Sequence, residues 1–264
     1  MILNMNDQYG TLAHYIKKAE RVMVLTGAGM STESGLLDFR SSNGMWAGRD
    51  PRQIASIKSI QPRQKNETKA EYRARIADFI RFYGWRMGEV KAHQPNTGHL
   101  VLAKWHKKKR ITHLVTQNVD GYHQKAGHGP VHAIHGNLME LRCDVCGHVQ
   151  GVNKYLSYDE NTDYFCKMDG GFLRPGVVLF GEDLPGSANI AFNLAKQCDL
   201  IIAMGSSLQV SPANSLTMEV LSHGGKLVII NNEPTAQDNY ADLVIHETIS
   251  KVLVQVDRIL EGTT

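Results

Sequence analysis

The sequence predicts an α/β protein built on a doubly wound parallel sheet with a smaller lobe attached. Short, continuously apolar runs alternate with stretches of helical periodicity, a pattern typical of a Rossmann-like parallel sheet covered on both faces. Two segments interrupt this alternation, one polar and helical and the other rich in cysteine. The expected strands are Val22–Thr26, His113–Thr116, Gly176–Phe180, Leu200–Met204, Leu227–Ile230 and Leu243–Ile245, and the expected helices are Leu12–Ala19, His99–Lys107, Ser187–Gln197, Ala213–Ser222 and Ile249–Leu260.

A chain of 264 residues is long enough for one domain with two lobes. We expect a single domain over residues 1–264. Its large lobe comprises about 1–40, 91–141 and 174–264. The small lobe comes from two insertions, a helical one over about 41–90 and a cysteine-containing one over about 142–173.

Composition narrows the classes of function. A net charge of +3 is too small to indicate nucleic-acid binding. The one basic run, residues 107–110, is interpreted as a solvated helix end, with a phosphate-binding patch as the alternative. The chain has four cysteines, two of them in the CxxC pair of Cys143 and Cys146, no export signal and no apolar stretch of membrane-spanning length, so we expect a cytoplasmic protein without a membrane partner.

A glycine-containing loop follows the first strand. Gly27 and Gly29 permit a tight turn and a close approach to a pyrophosphate, although Thr32 stands where a dehydrogenase has its third glycine. An ordinary strand-to-helix turn is the alternative. The loop continues into Asp38, Phe39 and Arg40. Exposing an aromatic ring between two charged side chains in a loop costs free energy unless the three bind a ligand.

Six segments together resemble the sirtuins, the NAD-dependent protein deacylases. The match extends in order along most of the chain, with Leu37 in place of the family's usual proline. The segments are GAGMSTESGLLDFR (27–40), TQNVDGYHQKAG (116–127), HAIHGNLMELRC (132–143), LRPGVVLFGEDLP (173–185), MGSSLQVSPANSL (204–216) and IINNEPT (229–235).

The resemblance implies an NAD site at the carboxyl ends of the strands. His135 matches the family's base and Asn118 a second catalytic group, while Asp120 fits either the site or an Asx turn capping the next helix. Closure of the 34–48 loop would press nicotinamide against Phe39, Val119 and Asp120. The implied NAD-binding residues are Gly27, Ala28, Gly29, Thr32, Asp38, Phe39, Arg40, Gln117, Val119, Asp120, Gly205, Ser206, Ser207, Asn231, Asn232 and Glu233.

An acylated-lysine peptide is the implied substrate, bound along one strand by backbone pairing. Tyr83 and Arg86, three apart on a predicted helix, resemble a pair that binds acidic acyl chains, with Ala55 as a small residue widening the pocket. Asp38 argues against this, because sirtuins of that class usually carry threonine there, so plain deacetylation stays open. The implied peptide-binding residues are Val177, Val178, Phe180, Gly181 and Glu182.

Three cysteines and an aspartate occupy the four ligand positions of the family's zinc ribbon. Cys143, Cys146, Cys166 and Asp169 have the expected spacing, and zinc accepts carboxylate oxygen as well as thiolate. The alternatives are His148 as fourth ligand and loss of the metal. The metal would be structural.

The predicted activity is NAD-dependent removal of acyl groups from lysine, which yields nicotinamide, O-acyl-ADP-ribose and free lysine. A protein mono-ADP-ribosyltransferase using the same site is the main alternative. A nucleotide sensor without turnover is another. A hydride-transferring dehydrogenase is disfavoured by the missing third glycine.

Overall fold

The computed structural model describes residues 5–38, 51–156 and 162–263. The strands are β1 Val22–Thr26, β2 His113–Thr116, β3 His132–Ala133, β4 Gly136–Cys143, β5 Val149–Gln150, β6 Leu173–Val177, β7 Leu200–Met204, β8 Lys226–Ile230 and β9 Leu243–Ile245. The helices are α1 Met5–Lys18, α2 Gly29–Thr32, α3 Pro51–Ile54, α4 Lys69–Arg75, α5 Ala77–Ala92, α6 Thr97–Lys107, α7 Tyr122–Lys125, α8 Asn153–Leu156, α9 Gly186–Ala195, α10 Ser215–Ser222 and α11 Ile249–Glu261.

Six strands form a parallel sheet in the order β3-β2-β1-β7-β8-β9. In its centre, Val24 on β1 is aligned with Leu114 on β2 and with Ile202 on β7. Every residue of β1 and β7 is buried, which explains why these strands appear in the sequence as unbroken apolar runs. The predicted fold class is confirmed.

Helices cover both faces of this parallel sheet. Alternate strand residues pack on one face against α1, α6 and α11, with Trp105 among the buried side chains. The residues between them pack on the other face against α9 and α10. Among the described residues, no helix is both long and apolar enough to cross a bilayer.

A second sheet has three antiparallel strands in the order β5-β4-β6. The expected parallel strand Gly176–Phe180 was wrong, because the chain instead forms β6, which pairs antiparallel with β4. An apolar run of this length does not reveal which sheet it joins. Pro175 is tolerated because β6 lies at an edge, where a missing N–H breaks no ladder.

The helical insertion packs against this three-stranded sheet. The amphipathic segment 69–83 forms α4 and the start of α5, which meet at Ile76. Thr68 begins α4 with a capping box, in which Thr68 and Glu71 each bond the other's backbone N–H. The core here is aromatic, and it includes Tyr72, Phe79, Tyr83, Tyr155, Tyr164, Phe165 and Phe172.

Candidate active site

A cleft of about 1230 Å³ lies between the parallel sheet and the three-stranded sheet. Its floor is made by loops that follow β1, β2, β7 and β8, so it lies at the carboxyl ends of parallel strands. The expected site residues that line it are Ala28, Gly29, Thr32, Asp38, Tyr83, Arg86, Gln117, Asn118, Val119, His135, Val177, Val178, Phe180, Gly181, Glu182, Gly205, Ser206, Ser207, Asn231, Asn232 and Glu233.

The remaining expected residues lie elsewhere. Asp120 lines a smaller neighbouring pocket of about 50 Å³, together with Ser31, Asn118 and Val119. Gly27 faces the loop after β7 rather than the cleft. Phe39, Arg40 and the 39–48 part of the predicted closing loop fall outside the described residues.

The two glycines after β1 make room for protein backbone. A Cβ atom on Gly27 would lie 2.7 Å from the carbonyl oxygen of Gly205, and one on Gly29 would lie 2.7 Å from the Gly205 Cα. No side chain fits at such distances, so the loops after β1 and β7 touch main chain to main chain. The sequence suggested that these glycines admit a pyrophosphate, and the structure gives them this additional reason.

Gln117 connects three parts of the cleft. Its backbone N–H donates to the Thr26 carbonyl at 2.9 Å, and its side-chain amide donates to Ser206 Oγ at 3.2 Å. Its carbonyl accepts from His135 Nδ1 at 3.0 Å. The residue therefore sets the positions of β2, the loop after β7 and the imidazole relative to one another.

The buried carboxamide of Asn118 is fixed on one side. Its Nδ2 donates to the Gly27 carbonyl at 3.0 Å and to Ser31 Oγ at 3.2 Å. The carboxamide oxygen is thereby directed away from these two partners. Ser31 has no role in the sequence-based reasoning, although it is the serine of the GAGMS segment.

Asp120 forms the Asx turn that one sequence interpretation proposed, and it also lies beside the small pocket. One carboxylate oxygen accepts from the Tyr122 N–H at 2.9 Å, which is the Asx turn that begins α7. The other accepts from Ser31 Oγ at 2.7 Å beside the small pocket. Burial raises the pKa of this carboxyl group, and the Tyr122 and Ser31 hydrogen bonds oppose the rise.

His135 lies between β3 and β4, and its Nδ1 is hydrogen-bonded to the Gln117 carbonyl. Because a carbonyl oxygen can only accept, the bond to Gln117 places the ring proton on Nδ1 and leaves Nε2 unprotonated. Burial lowers the pKa of the ring, and the bond to Gln117 partly opposes this. The imidazole is thus neutral near pH 7 and able to take up a proton.

The strand end at 177–182 is largely bonded within the chain. Val178 N–H donates to the His135 carbonyl, and Phe180 N–H donates to the Ala55 carbonyl, both at 2.9 Å. Glu182 pairs with Arg174 at 2.5 Å and accepts from the Leu179 N–H at 2.7 Å. Glu182 therefore shapes this loop, while the half-exposed ring of Phe180 faces the cleft.

Tyr83 and Arg86 lie on one face of α5, as the spacing requires. The Arg86 guanidinium carbon is 5.8 Å from the centre of the Tyr83 ring and 5.7 Å from that of Phe82. Burial lowers the pKa of Arg86 and raises the pKa of Tyr83 to about 12. Both line the cleft together with Ala55.

The metal-ligand candidates converge at the end of the three-stranded sheet. One ligand atom each from Cys143, Cys146, Cys166 and Asp169 lies within 4.8 Å of the others. Cys143 Sγ is 3.3 Å from Asp169 Oδ1, and Cys146 Sγ is 3.9 Å from Cys166 Sγ. Tetrahedral zinc with bonds of about 2.3 Å would separate its ligands by about 3.8 Å, so this donor set fits zinc.

Asp169 is also oriented as a ligand should be. Its Oδ1 accepts from the Gly171 N–H at 2.9 Å, which fixes the carboxylate beside the thiols. His148 does not belong to the cluster in the described part of the chain, and its carbonyl accepts from the Cys143 N–H instead. The geometry favours Asp169 as the fourth ligand.

These features define a nucleotide-binding α/β protein with an attached metal-binding module. Residues 27–212 match the profile of the Sir2 family. The NAD-dependent protein deacetylase of Oceanobacillus iheyensis is 43% identical over 235 residues, which cover 88% of this chain and 92% of that protein. The NAD-dependent protein deacetylase 1 of Geobacillus kaustophilus is 42% identical over 250 residues, 94% of this chain and 96% of that protein.

Solved structures give the same result. A Sir2 homologue in complex with NAD superposes with a TM-score of 0.83 at 31% identity, covering 96% of this chain and 94% of that one. A Sir2 protein bound to a propionylated peptide gives a TM-score of 0.81 at 29% identity, covering 97% and 100%. The chain belongs to the Sir2 family.

The cleft fits NAD as judged by its own residues. Hydroxyl and carboxamide groups of Ser206, Ser207 and Asn231 suit sugar hydroxyls, and the Asn118 carboxamide reaches both the cleft and the small pocket. The volume exceeds that of an ordinary ligand site, which leaves space for a second substrate.

Proposed function

We propose that this protein is an NAD-dependent protein-lysine deacylase. The observation that carries the proposal is the position of His135 at the cleft, where its Nδ1–H donates to the Gln117 carbonyl and its Nε2 is left to accept a proton. Proteins 43% and 42% identical to this chain bear the name NAD-dependent protein deacetylase. The products are nicotinamide, O-acyl-ADP-ribose and the free lysine.

Bound NAD would supply a sugar carbon, which exchanges its bond to nicotinamide for one to the acyl oxygen of the substrate, and a sugar hydroxyl, which receives the acyl group as one water is consumed and the lysine amine leaves. His135 Nε2 takes the proton of that hydroxyl while its Nδ1–H stays bonded to Gln117. The lowered pKa keeps the ring neutral before this step. Asn118 orients the nucleotide through its carboxamide oxygen.

Asp120, Val119 and Ser31 line the pocket that would receive the carboxamide of nicotinamide. The remaining NAD-binding residues expected from the sequence are proposed to hold the sugars and phosphates. Phe39 is proposed to shield the reacting carbon from water, and Arg40 is proposed to help bind NAD.

The peptide is proposed to lie along residues 177–182. Since Phe180 spends its N–H and carbonyl on Ala55 and Ile57, it contributes its ring rather than a backbone bond to the peptide. The carbonyl of Val178 and the backbone of Gly181 would supply the pairing, with little preference for sequence. Val177, whose own backbone pairs with Gly136 in β4, would contribute its side chain.

Removal of malonyl and succinyl groups is proposed alongside deacetylation. Arg86 lies beside Tyr83 at the cleft, and a guanidinium stays charged in proteins, so the pair can hold a carboxylate. Asp38 also lines the cleft, and its negative charge opposes acidic chains.

Zinc is proposed as a structural ion of the small lobe, held by Cys143, Cys146, Cys166 and Asp169. It stands apart from the residues assigned to the reaction. Four free cysteines, three of them in this cluster, suit the reducing cytoplasm, where we propose that the protein works. The division into lobes at residues 41–90 and 142–173 stays a prediction.

The test is a panel of acetyl, malonyl and succinyl peptides with NAD, read by mass spectrometry, on the wild type, His135→Ala and Arg86→Ala. The wild type should release lysine and O-acyl-ADP-ribose, and His135→Ala should lose about a thousandfold or more. Arg86→Ala should lose the acidic peptides and keep the acetyl peptide. Labelled ADP-ribose fixed to protein without deacylation would instead identify a mono-ADP-ribosyltransferase.

A further inference from the structure

A buried polar chain lies beneath the cleft and takes no part in the reaction described above. His123 on α7 is only 1% exposed, and its Nε2 is 3.0 Å from Thr26 Oγ1. Thr26 is the last residue of β1, and its hydroxyl is fully buried. Burying an imidazole and a hydroxyl costs free energy unless they are hydrogen-bonded, so their presence here calls for an explanation.

The chain continues across the parallel sheet. Thr26 is aligned with Thr116, the last residue of β2, and its hydroxyl donates to Thr116 Oγ1 at 2.8 Å. Thr116 Oγ1 also accepts the backbone N–H of Asn118 at 3.0 Å. Three side chains in a row thus connect α7 to the backbone of a residue that lines the cleft.

The direction of the protons follows from the same contacts. Because the Thr26 hydroxyl donates to Thr116, its oxygen accepts from His123, and the ring proton lies on Nε2. The His123 Nε2–H and the Thr26 hydroxyl each have an acceptor in this chain, and Thr116 Oγ1 at its end accepts the Asn118 N–H.

Packing alone does not require threonine at the two strand ends. The residues two positions earlier on the same face, Val24 and Leu114, are apolar and fully buried. Valine has the shape of threonine without the hydroxyl, and it would continue these rows without a polar atom to satisfy. The hydroxyls are explained by the amide they hold.

That amide belongs to the segment which carries Asn118 and orients His135, the two residues assigned to the chemistry. Gln117 bonds the Thr26 carbonyl through its N–H and orients His135 through its own carbonyl. Asn118 follows directly, with its side chain on Gly27 and Ser31. A shift of this segment by a fraction of an ångström would displace the imidazole and the carboxamide together.

We propose that His123, Thr26 and Thr116 are positioning residues, which hold the Gln117–Asn118 segment in place through a hydrogen-bond chain ending on the Asn118 amide. They touch neither nucleotide nor peptide. The proposal rests on the proposed deacylase function for its kinetic part, and on the fold alone for the order of the segment.

The experiment compares Thr116→Val with Thr116→Ser. Valine keeps the shape and removes the acceptor, whereas serine keeps the acceptor. We expect Thr116→Val to lower kcat about tenfold or more with a smaller change in KM for the peptide, and Thr116→Ser to stay within about threefold of wild type. Thr26→Val, which removes the middle link, should lie between them.

The control is Thr217→Val, which removes a fully buried, hydrogen-bonded hydroxyl on α10 outside the cleft. It should leave kcat near wild type. Melting temperatures of all four variants identify any that fail to fold. Hydrogen–deuterium exchange without NAD gives a second measurement: the fragment containing Asn118 should exchange faster in Thr116→Val than in Thr116→Ser or Thr217→Val.

The proposal is overturned if Thr116→Val keeps wild-type kcat and exchange, or if Thr116→Ser is as impaired as Thr116→Val. It is also overturned if Thr217→Val has the same effect, because the cause would then be general loss of packing. A wild type without NAD-dependent deacylation would refute the proposed function instead, and the exchange comparison would still decide whether the chain holds the segment.

Discussion

The parallel sheet and the three-stranded sheet beside it are stabilised in different ways. The parallel sheet is an aliphatic layer with helices on both faces, and its central strands are wholly buried. The three-stranded sheet has one aromatic cluster and, at its far end, a small core of Cys143, Cys166 and Leu173. The parallel sheet is stabilised by the burial of apolar surface. The three-stranded sheet has less of it and carries the four candidate zinc ligands at one end.

Loss of the metal should have the largest effect, and that effect should be confined to the three-stranded sheet. Cys146→Ala takes away one of the four ligands, and structural zinc sites provide about 10 kcal/mol or more of binding free energy. We expect one zinc per chain in the wild type and none in the variant, measured by elemental analysis. Hydrogen exchange should rise in residues 143–150 and 162–173 and stay low in β1 and β7.

Cys198→Ala is the matched control, since Cys198 is a buried thiol in the core of the parallel sheet, outside the cluster. It should keep its zinc. Zinc bound equally by wild type and Cys146→Ala would contradict the assignment of that residue as a ligand.

Acid should lower the free energy of unfolding through buried histidines that pack near the parallel sheet. Burial lowers the pKa of His99 and of His128 from 6.5 to about 4. The unfolded chain then binds more protons, so the stabilising contribution is complete above pH 6.5 and declines as the pH falls towards 4. At pH 5 the loss is about 2 kcal/mol for each ring.

Urea unfolding between pH 7 and pH 4.5 measures this loss. His99→Phe should flatten the profile, because it removes one of the titrating rings. A free energy of unfolding that does not change over this range would show that these rings are not buried in the neutral form.

The same truncation of an aliphatic side chain should lower global stability more in the parallel sheet than in the three-stranded sheet. Leu114→Ala, in the middle of β2, should cost about 3 kcal/mol of global stability, because it opens a cavity among fully buried neighbours. Leu138→Ala, in β4, removes the same group from the aromatic cluster. We expect its smaller effect on global unfolding to be accompanied by faster local exchange around β4.

The smallest expected effect concerns the start of α4, which packs against the three-stranded sheet. Thr68→Ala removes the capping box of α4 and should cost about 1 kcal/mol. Thr68→Ser, which keeps the hydroxyl, should cost little. Equal melting temperatures for the two variants would mean that the cap contributes nothing measurable.

The parallel sheet was predictable because its strands differ sharply from their surroundings in composition. Strands Val22–Thr26, His113–Thr116 and Leu200–Met204 agree with the sequence prediction to the residue. The three-stranded sheet was not predictable, because β4 mixes polar and apolar residues without a clean alternation. The run after Leu173 was apolar enough to be mistaken for a strand of the parallel sheet.

The site divides in the same manner. Spacing and motifs predicted which residues line the cleft and which four approach the metal position, because both are encoded locally. Ser31 and the link from His123 to Asn118 could not be predicted. They depend on side chains of separate elements meeting in space, and no spacing in the sequence expresses that.

The main-chain contact between the loops after β1 and β7 also limits how this protein can be redesigned. With no room for a methyl group at Gly27 or Gly29, exchanging side chains there cannot enlarge or reshape the bottom of the cleft. An engineer who wanted another dinucleotide accepted would have to work at the exposed rim, at Asn232 and Glu233. Among natural relatives, sequence variation in this part of the cleft should likewise occur at its exposed rim and not at Gly27 or Gly29.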